Sequence, residues 1–63
     1  MMLVDQIAEV KREIAMRERI YPKWVNDGRL SPDEAKKRLG RMRAVLETLK
    51  KLEGADDLLS RSV

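Results

Sequence analysis

The sequence predicts an all-α fold, an antiparallel helical hairpin that dimerises into a four-helix bundle. Hydrophobic residues make up 43% of the 63-residue chain and charged residues 40%, a balance typical of long amphipathic helices with solvated outer faces. Two apolar stripes are separated by a segment rich in helix-capping residues, which indicates two helices and a turn. Strand-favouring residues are sparse and do not alternate with polar ones, so no sheet is expected.

Helix 1, at about residues 3–21, is predicted by an apolar stripe that shares one helix face at about 100° per residue. Its members are Leu3, Ile7, Val10, Ile14, Tyr21 and Trp24. Arg17 occupies a position of this stripe where an apolar residue is expected. Pro22 lacks a backbone donor and its ring crowds the carbonyl of Glu18. We therefore expect a kink or break near the end of helix 1, followed by one short turn through Asp27.

Residues 22–30 are predicted to form the turn that reverses the chain. Gly28 tolerates the left-handed conformation that usually follows a helix end, so a positive φ is expected there. Ser31 is a capping residue, and Pro32 after it suits the first position of a helix. These signals predict that the second helix begins at about residue 32 and runs antiparallel to the first.

Helix 2, at about residues 32–53, is predicted by a second stripe: Ala35, Leu39, Met42, Leu46 and Leu49, flanked by Val45 and Leu52. Gly40 lies off this stripe, either as a tolerated surface position or as a point of close helix approach in an oligomer. Residues 55–63 are expected to form a tail, which either adds a short turn carrying Leu58 and Leu59 or frays. Residues 1–63 are thus predicted to be a single domain.

Self-association is expected because a core this small supplies no more than roughly 3–5 kcal/mol. The chain has no cysteine, so no disulfide adds to that core. Apolar residues beside the main stripes would remain exposed to water in a lone hairpin. A two-fold four-helix bundle buries them, and the residues predicted to form the homodimer contact are Leu46, Leu49, Val45 and Leu52.

The residue types exclude most catalytic chemistry. The absence of histidine and cysteine excludes imidazole catalysis, thiolate chemistry and the usual zinc sites. The sequence has no phosphate-binding glycine loop and no nucleophile beside a base. We therefore predict that the protein is not an enzyme and needs no cofactor or metal. It has no signal-peptide pattern and no apolar run near the roughly 20 residues of a membrane span, so a cytoplasmic location away from membranes is expected.

Tyr21 and Trp24 admit two interpretations. In the first, both rings plug the closed end of the hairpin core against Leu30, Ala35 and Leu39. In the second, they anchor a partner protein, because tyrosine and tryptophan are enriched in binding hot spots. The candidate partner-binding residues are Tyr21, Trp24, Met16 and Ile20.

Helix 2 is the basic part of the chain. The formal net charge is +3, yet residues 35–54 hold seven basic residues against two acidic ones. Such a helix can bind the phosphates of DNA or RNA, and the candidate residues are Lys36, Lys37, Arg41, Lys50 and Lys51. The basic side chains are scattered around the helix, and no aromatic residue is interleaved for base stacking. A solvated surface and an acidic protein partner remain alternatives.

The middle of the chain contains three stretches, REIAMRERIYPKWV (12–25), GRLSPDEA (28–35) and MRAVLETL (42–49). Together they resemble a group of small helical proteins encoded by bacteriophages and prophages. The resemblance covers about residues 12–49, and its distinctive part is the YP-x-WV segment with the turn. It implies phage origin, a bacterial host cytoplasm and an accessory role through binding.

Two functions are therefore predicted. In the first, the protein regulates or inhibits a host or phage protein by protein–protein interaction. In the alternative, it is a small nucleic-acid-binding accessory protein that uses its basic second helix.

Overall fold

A computed structural model describes residues 1–61, with side chains described for residues 1–55. Helix α1 spans Leu3–Asn26 and helix α2 spans Pro32–Arg61. The two pack against each other as a hairpin measuring 54 by 17 by 14 Å. Residues 1–61 contain no strand. The predicted all-α hairpin is thus confirmed.

A Schellman motif ends α1. Gly28 has φ 76°, which confirms the predicted left-handed conformation. Its amide donates to the carbonyl of Val25 at 3.1 Å, and the Arg29 amide donates to the carbonyl of Trp24 at 2.8 Å. These two bonds satisfy carbonyls that a helix end would otherwise leave unpaired. The turn is therefore fixed by its own backbone.

Ser31 caps α2 as predicted. Its Oγ accepts a hydrogen bond from the amide of Glu34 at 3.1 Å. Pro32 is the first helical residue, where its missing amide costs no hydrogen bond. Both ends of the turn are thus specified by residues within a few positions of each other.

Ser31→Ala is expected to lower the free energy of unfolding by about 0.5–2 kcal/mol, because the Glu34 amide loses its acceptor. Urea denaturation followed by circular dichroism measures the change. Ser31→Asp is the matched control, since it keeps an acceptor at the cap position. An alanine variant with the urea midpoint of the unmodified protein would show that the cap contributes nothing.

The predicted break at Pro22 is wrong, and a kink there is not confirmed. Helix α1 continues through Pro22 to Asn26, five residues past its predicted end at residue 21. Pro22 and Glu18 are both exposed, so the ring lies on the outer side of the helix, where water can satisfy the freed carbonyl. The Schellman motif and the burial of Tyr21 offset the lost hydrogen bond.

The predicted end of helix 2 at about residue 53 is also wrong. Helix α2 continues through Gly54 to Arg61, and Gly28 is the one positive-φ glycine in the described part of the chain. A glycine ends a helix when it adopts the left-handed conformation, which Gly54 does not. The predicted tail 55–63 is therefore helical in its backbone as far as Arg61. Residues 62–63 and the side chains of Leu58 and Leu59 lie outside the described residues.

The core lies along α1 and thickens at the closed end of the hairpin. The buried hydrophobic side chains are Ile7, Ile14, Tyr21, Leu30 and Ala35. The first three recur every seven residues, which places them on one line facing α2. Tyr21, Leu30 and Ala35 form a cluster against which Val25 and Leu39 pack. Leu30, the residue before the cap, packs against Ala35 in the first turn of α2, and this contact is a hydrophobic staple.

Candidate protein-binding surface

An open groove of about 330 Å³ lies between the two helices near the closed end. Its lining residues are Met16, Arg17, Ile20, Tyr21, Trp24 and Arg38. The four residues that the sequence nominated for partner binding therefore meet around one groove. The lining includes aromatic residues, methionine and arginine, which are the residue types enriched at the centre of protein–protein interfaces.

Tyr21 and Trp24 differ in burial, so the two interpretations apply to different residues of the pair. Tyr21 is only 5% exposed and belongs to the core cluster, so it plugs the closed end. Trp24 is 37% exposed, and its ring leans on that of Tyr21, with centroids 5.7 Å apart and planes at 36°. The buried tyrosine thus supports a tryptophan that remains open to solvent.

Two arginines lie in the groove, and each is paired with a glutamate one turn earlier. Arg17 Nε lies 3.7 Å from Glu13 Oε2, and Arg38 Nε lies 3.3 Å from Glu34 Oε1. These pairs leave the groove close to neutral. Glu13 Oε2 is buried and has no hydrogen-bond donor, because the contact to Arg17 exceeds hydrogen-bond length. Neither arginine was predicted to belong to a binding surface, although Arg17 occupies a position of the apolar stripe where an apolar residue is expected.

The apolar surface continues from the groove along α2. Arg38, Val45 and Leu52 are spaced by seven residues, so they lie on one stripe of α2. Because Arg38 lines the groove, this stripe belongs to the same broad face of the hairpin. Val45 is 46% exposed and Leu52 52%. We call this surface the groove face and define its apolar residues as Met16, Ile20, Trp24, Val45 and Leu52.

The opposite broad face has a different character. An ion pair joins the helices there, with Arg43 Nη2 3.0 Å from Glu18 Oε1. Arg17 and Glu18 are about 100° apart on the helix, so they flank the buried line of α1 on opposite sides. Val4 lies two heptads before Glu18 and is 54% exposed. The chain thus offers an exposed apolar residue away from the groove face.

The residues predicted to self-associate divide into two pairs. Leu46 and Leu49 are half-buried and continue the stripe of Ala35 that faces α1. Val45 and Leu52 are exposed on the groove face. Val45 and Leu52 can therefore contact another molecule without opening the hairpin.

The candidate nucleic-acid-binding residues are exposed and dispersed. At about 100° per residue they spread over roughly half the circumference of α2; they are Lys36, Lys37, Arg41, Lys50 and Lys51. Lys50 pairs with Glu47 at 3.9 Å. Among residues 1–55, the ion pairs involve neither Lys36, Lys37 nor Arg41. The structure therefore supplies unpaired cations but does not align them.

No protein-family model, curated protein or solved structure matches the chain. Over the portion that the structure covers, neither helix has the length and apolarity that crossing a membrane requires. The same residues contain no cluster of three or more acidic, histidine or cysteine side chains able to hold a metal ion.

Proposed function

We propose that this chain is a small accessory protein that acts by protein–protein interaction, presenting the groove face to a partner protein that it regulates or inhibits. The exposed indole of Trp24, supported by the buried ring of Tyr21, carries the proposal. A tryptophan held by a packed neighbour gives a large contact area at a low entropic cost, which is the usual property of a binding hot spot. The resemblance to phage-encoded helical proteins favours a host or phage protein as partner, in the bacterial cytoplasm.

We also propose that the hairpin forms a homodimer, as a two-fold four-helix bundle. Support comes from the small core, which consists of five buried hydrophobic side chains in the described residues. Support also comes from the exposed apolar residues of the groove face, because burying one such side chain fully is worth roughly 1.5–3 kcal/mol.

Nucleic-acid binding is the second candidate, and the unpaired Lys36, Lys37 and Arg41 favour it. These cations point in different directions around α2, and Trp24 lies on the other helix, so no stacking platform accompanies them. Retention on DNA or RNA that falls steeply with salt, and that disappears when the three cations are replaced, would establish this function.

Trp24→Ala is expected to abolish capture of the partner from a bacterial lysate by the immobilised chain, because the principal anchor is removed. Circular dichroism should show an unchanged helical content, since Trp24 lies outside the core cluster. Val4→Ala is the matched control: it truncates an exposed apolar residue on the opposite face and should capture the partner normally. Equal loss with both variants, or equal capture with both, would count against the groove face as the binding surface.

A further inference from the structure

The apolar residues of the groove face form one surface that spans both helices. Met16, Ile20 and Trp24 are spaced by four residues along α1, which places them on a single ridge. Because α2 runs antiparallel to α1, Val45 and then Leu52 extend this surface towards the open end of the hairpin. The residues nominated for partner binding and the exposed residues nominated for self-association therefore share one face.

We propose that a second copy of this chain covers the groove face and encloses Trp24, so that the face is open to a foreign partner only in the monomer. The inference rests on the proposed function, since it names the occupant of the same surface when no partner is present. Self-association then competes with partner binding, and the concentration of the protein sets how much of it is competent to bind.

The size of the face fits a second copy. The broad side of the hairpin measures 54 by 17 Å, so it is large enough to hold the roughly 800 Å² per partner that a standard stable interface buries. Apolar residues are distributed along this side, from Trp24 near the closed end to Leu52 near the open end. An interface of this length needs a partner of similar length, and a second hairpin has that length by construction.

The charges on the face fit a two-fold contact. An isologous interface must be complementary to itself, and this face carries both positively and negatively charged side chains. Glu13 pairs with Arg17 on α1, and Glu34 pairs with Arg38 on α2. Arg41 lies four residues before Val45 on the same side of α2, is exposed, and takes part in none of the ion pairs within residues 1–55. The two acid–base pairs leave the face close to neutral, so two copies can meet on it without a concentration of like charge.

Trp24 is the only tryptophan in the chain, so it reports directly on whether the face is covered. Sedimentation of the purified, unmodified protein from low to high micromolar concentration should show a monomer–dimer equilibrium. As dimer forms, the emission of Trp24 should move to shorter wavelength, and its quenching by acrylamide should fall in proportion to the dimer fraction. A dimer in which Trp24 stays as accessible to acrylamide as in the monomer would overturn the proposal, as would a monomer at every concentration.

Two matched variants locate the interface. Ile20→Glu places a charge in the middle of the groove face, and it should raise the dissociation constant of the dimer by about 100-fold or more while the chain stays helical. Val4→Glu places the same charge on the opposite face and should leave the constant within a factor of about two or three. Equal dissociation constants for the two variants would contradict the proposal. If Ile20→Glu loses its helical content, the acrylamide quenching of Trp24 in the unmodified chain tests the proposal instead.

These measurements use the purified chain alone, so their failure is distinguishable from failure of the proposed function. A monomeric chain that still captures a partner through Trp24 would refute the covering copy and leave the function standing. A dimer that encloses Trp24 but captures no partner would support the covering copy and refute the proposed function.

Discussion

Tyr21→Ala is expected to unfold the protein at room temperature. Truncating a buried aromatic residue costs about 3–5 kcal/mol, which equals the roughly 3–5 kcal/mol that a single core of this size supplies. Tyr21 is the largest member of the cluster with Leu30 and Ala35, so its loss detaches the turn from both helices. Far-UV circular dichroism should show a largely unfolded chain, and thermal scans should show no cooperative transition.

Two controls separate packing from other effects at this position. Tyr21→Phe keeps the ring and should retain the fold, with a change of about 1 kcal/mol or less. Trp24→Ala removes a larger ring from a position that is more than one third exposed, and it should cost less than Tyr21→Ala. If the alanine variant at Tyr21 melts within a few degrees of the unmodified protein, the cluster is not what holds the hairpin together.

The features that the sequence predicted correctly are local ones. The left-handed Gly28 and the Ser31 cap depend on residues a few positions apart, so their chemistry is readable without knowledge of the rest of the fold. The two helices follow from the spacing of apolar residues for the same reason.

The errors occurred where the context of a residue decides its effect. Pro22 and Gly54 are helix-breaking residue types, yet both lie inside helices. Pro22 is tolerated because it is exposed and a strong terminal motif follows it. Gly54 is tolerated because its backbone stays in the right-handed region, at a cost of about 1 kcal/mol relative to alanine. The residue type sets the local free-energy cost, and the rest of the helix determines whether the helix ends at that residue.

The candidate site was predicted as a set of residues but not as a surface. Tyr21 and Trp24 belong to the same apolar stripe, and periodicity alone does not distinguish the buried member from the exposed one. The relation between Arg38 and Val45 on one helix and Ile20 on the other depends on how the helices are rotated against each other. This rotation is set by packing across the hairpin, for which a single amphipathic pattern contains no information.

Leu46→Asp and Val45→Asp should have opposite consequences for the hairpin, although the two residues are adjacent. Leu46 is half-buried on the stripe that faces α1. An aspartate there removes apolar contact and places a carboxylate between the helices, at a cost of about 3 kcal/mol or more. The variant should therefore lose both its helical content and its self-association.

Val45 lies about 100° away on the groove face and is 46% exposed. Val45→Asp should leave the hairpin helical at low temperature but monomeric in sedimentation, because the added charge would be buried only in the dimer. Its melting temperature should no longer depend on protein concentration, whereas that of the unmodified protein should rise with concentration. A folded Leu46→Asp variant would show that this residue does not hold the helices together. A concentration-dependent melting temperature for Val45→Asp would exclude Val45 from the dimer interface.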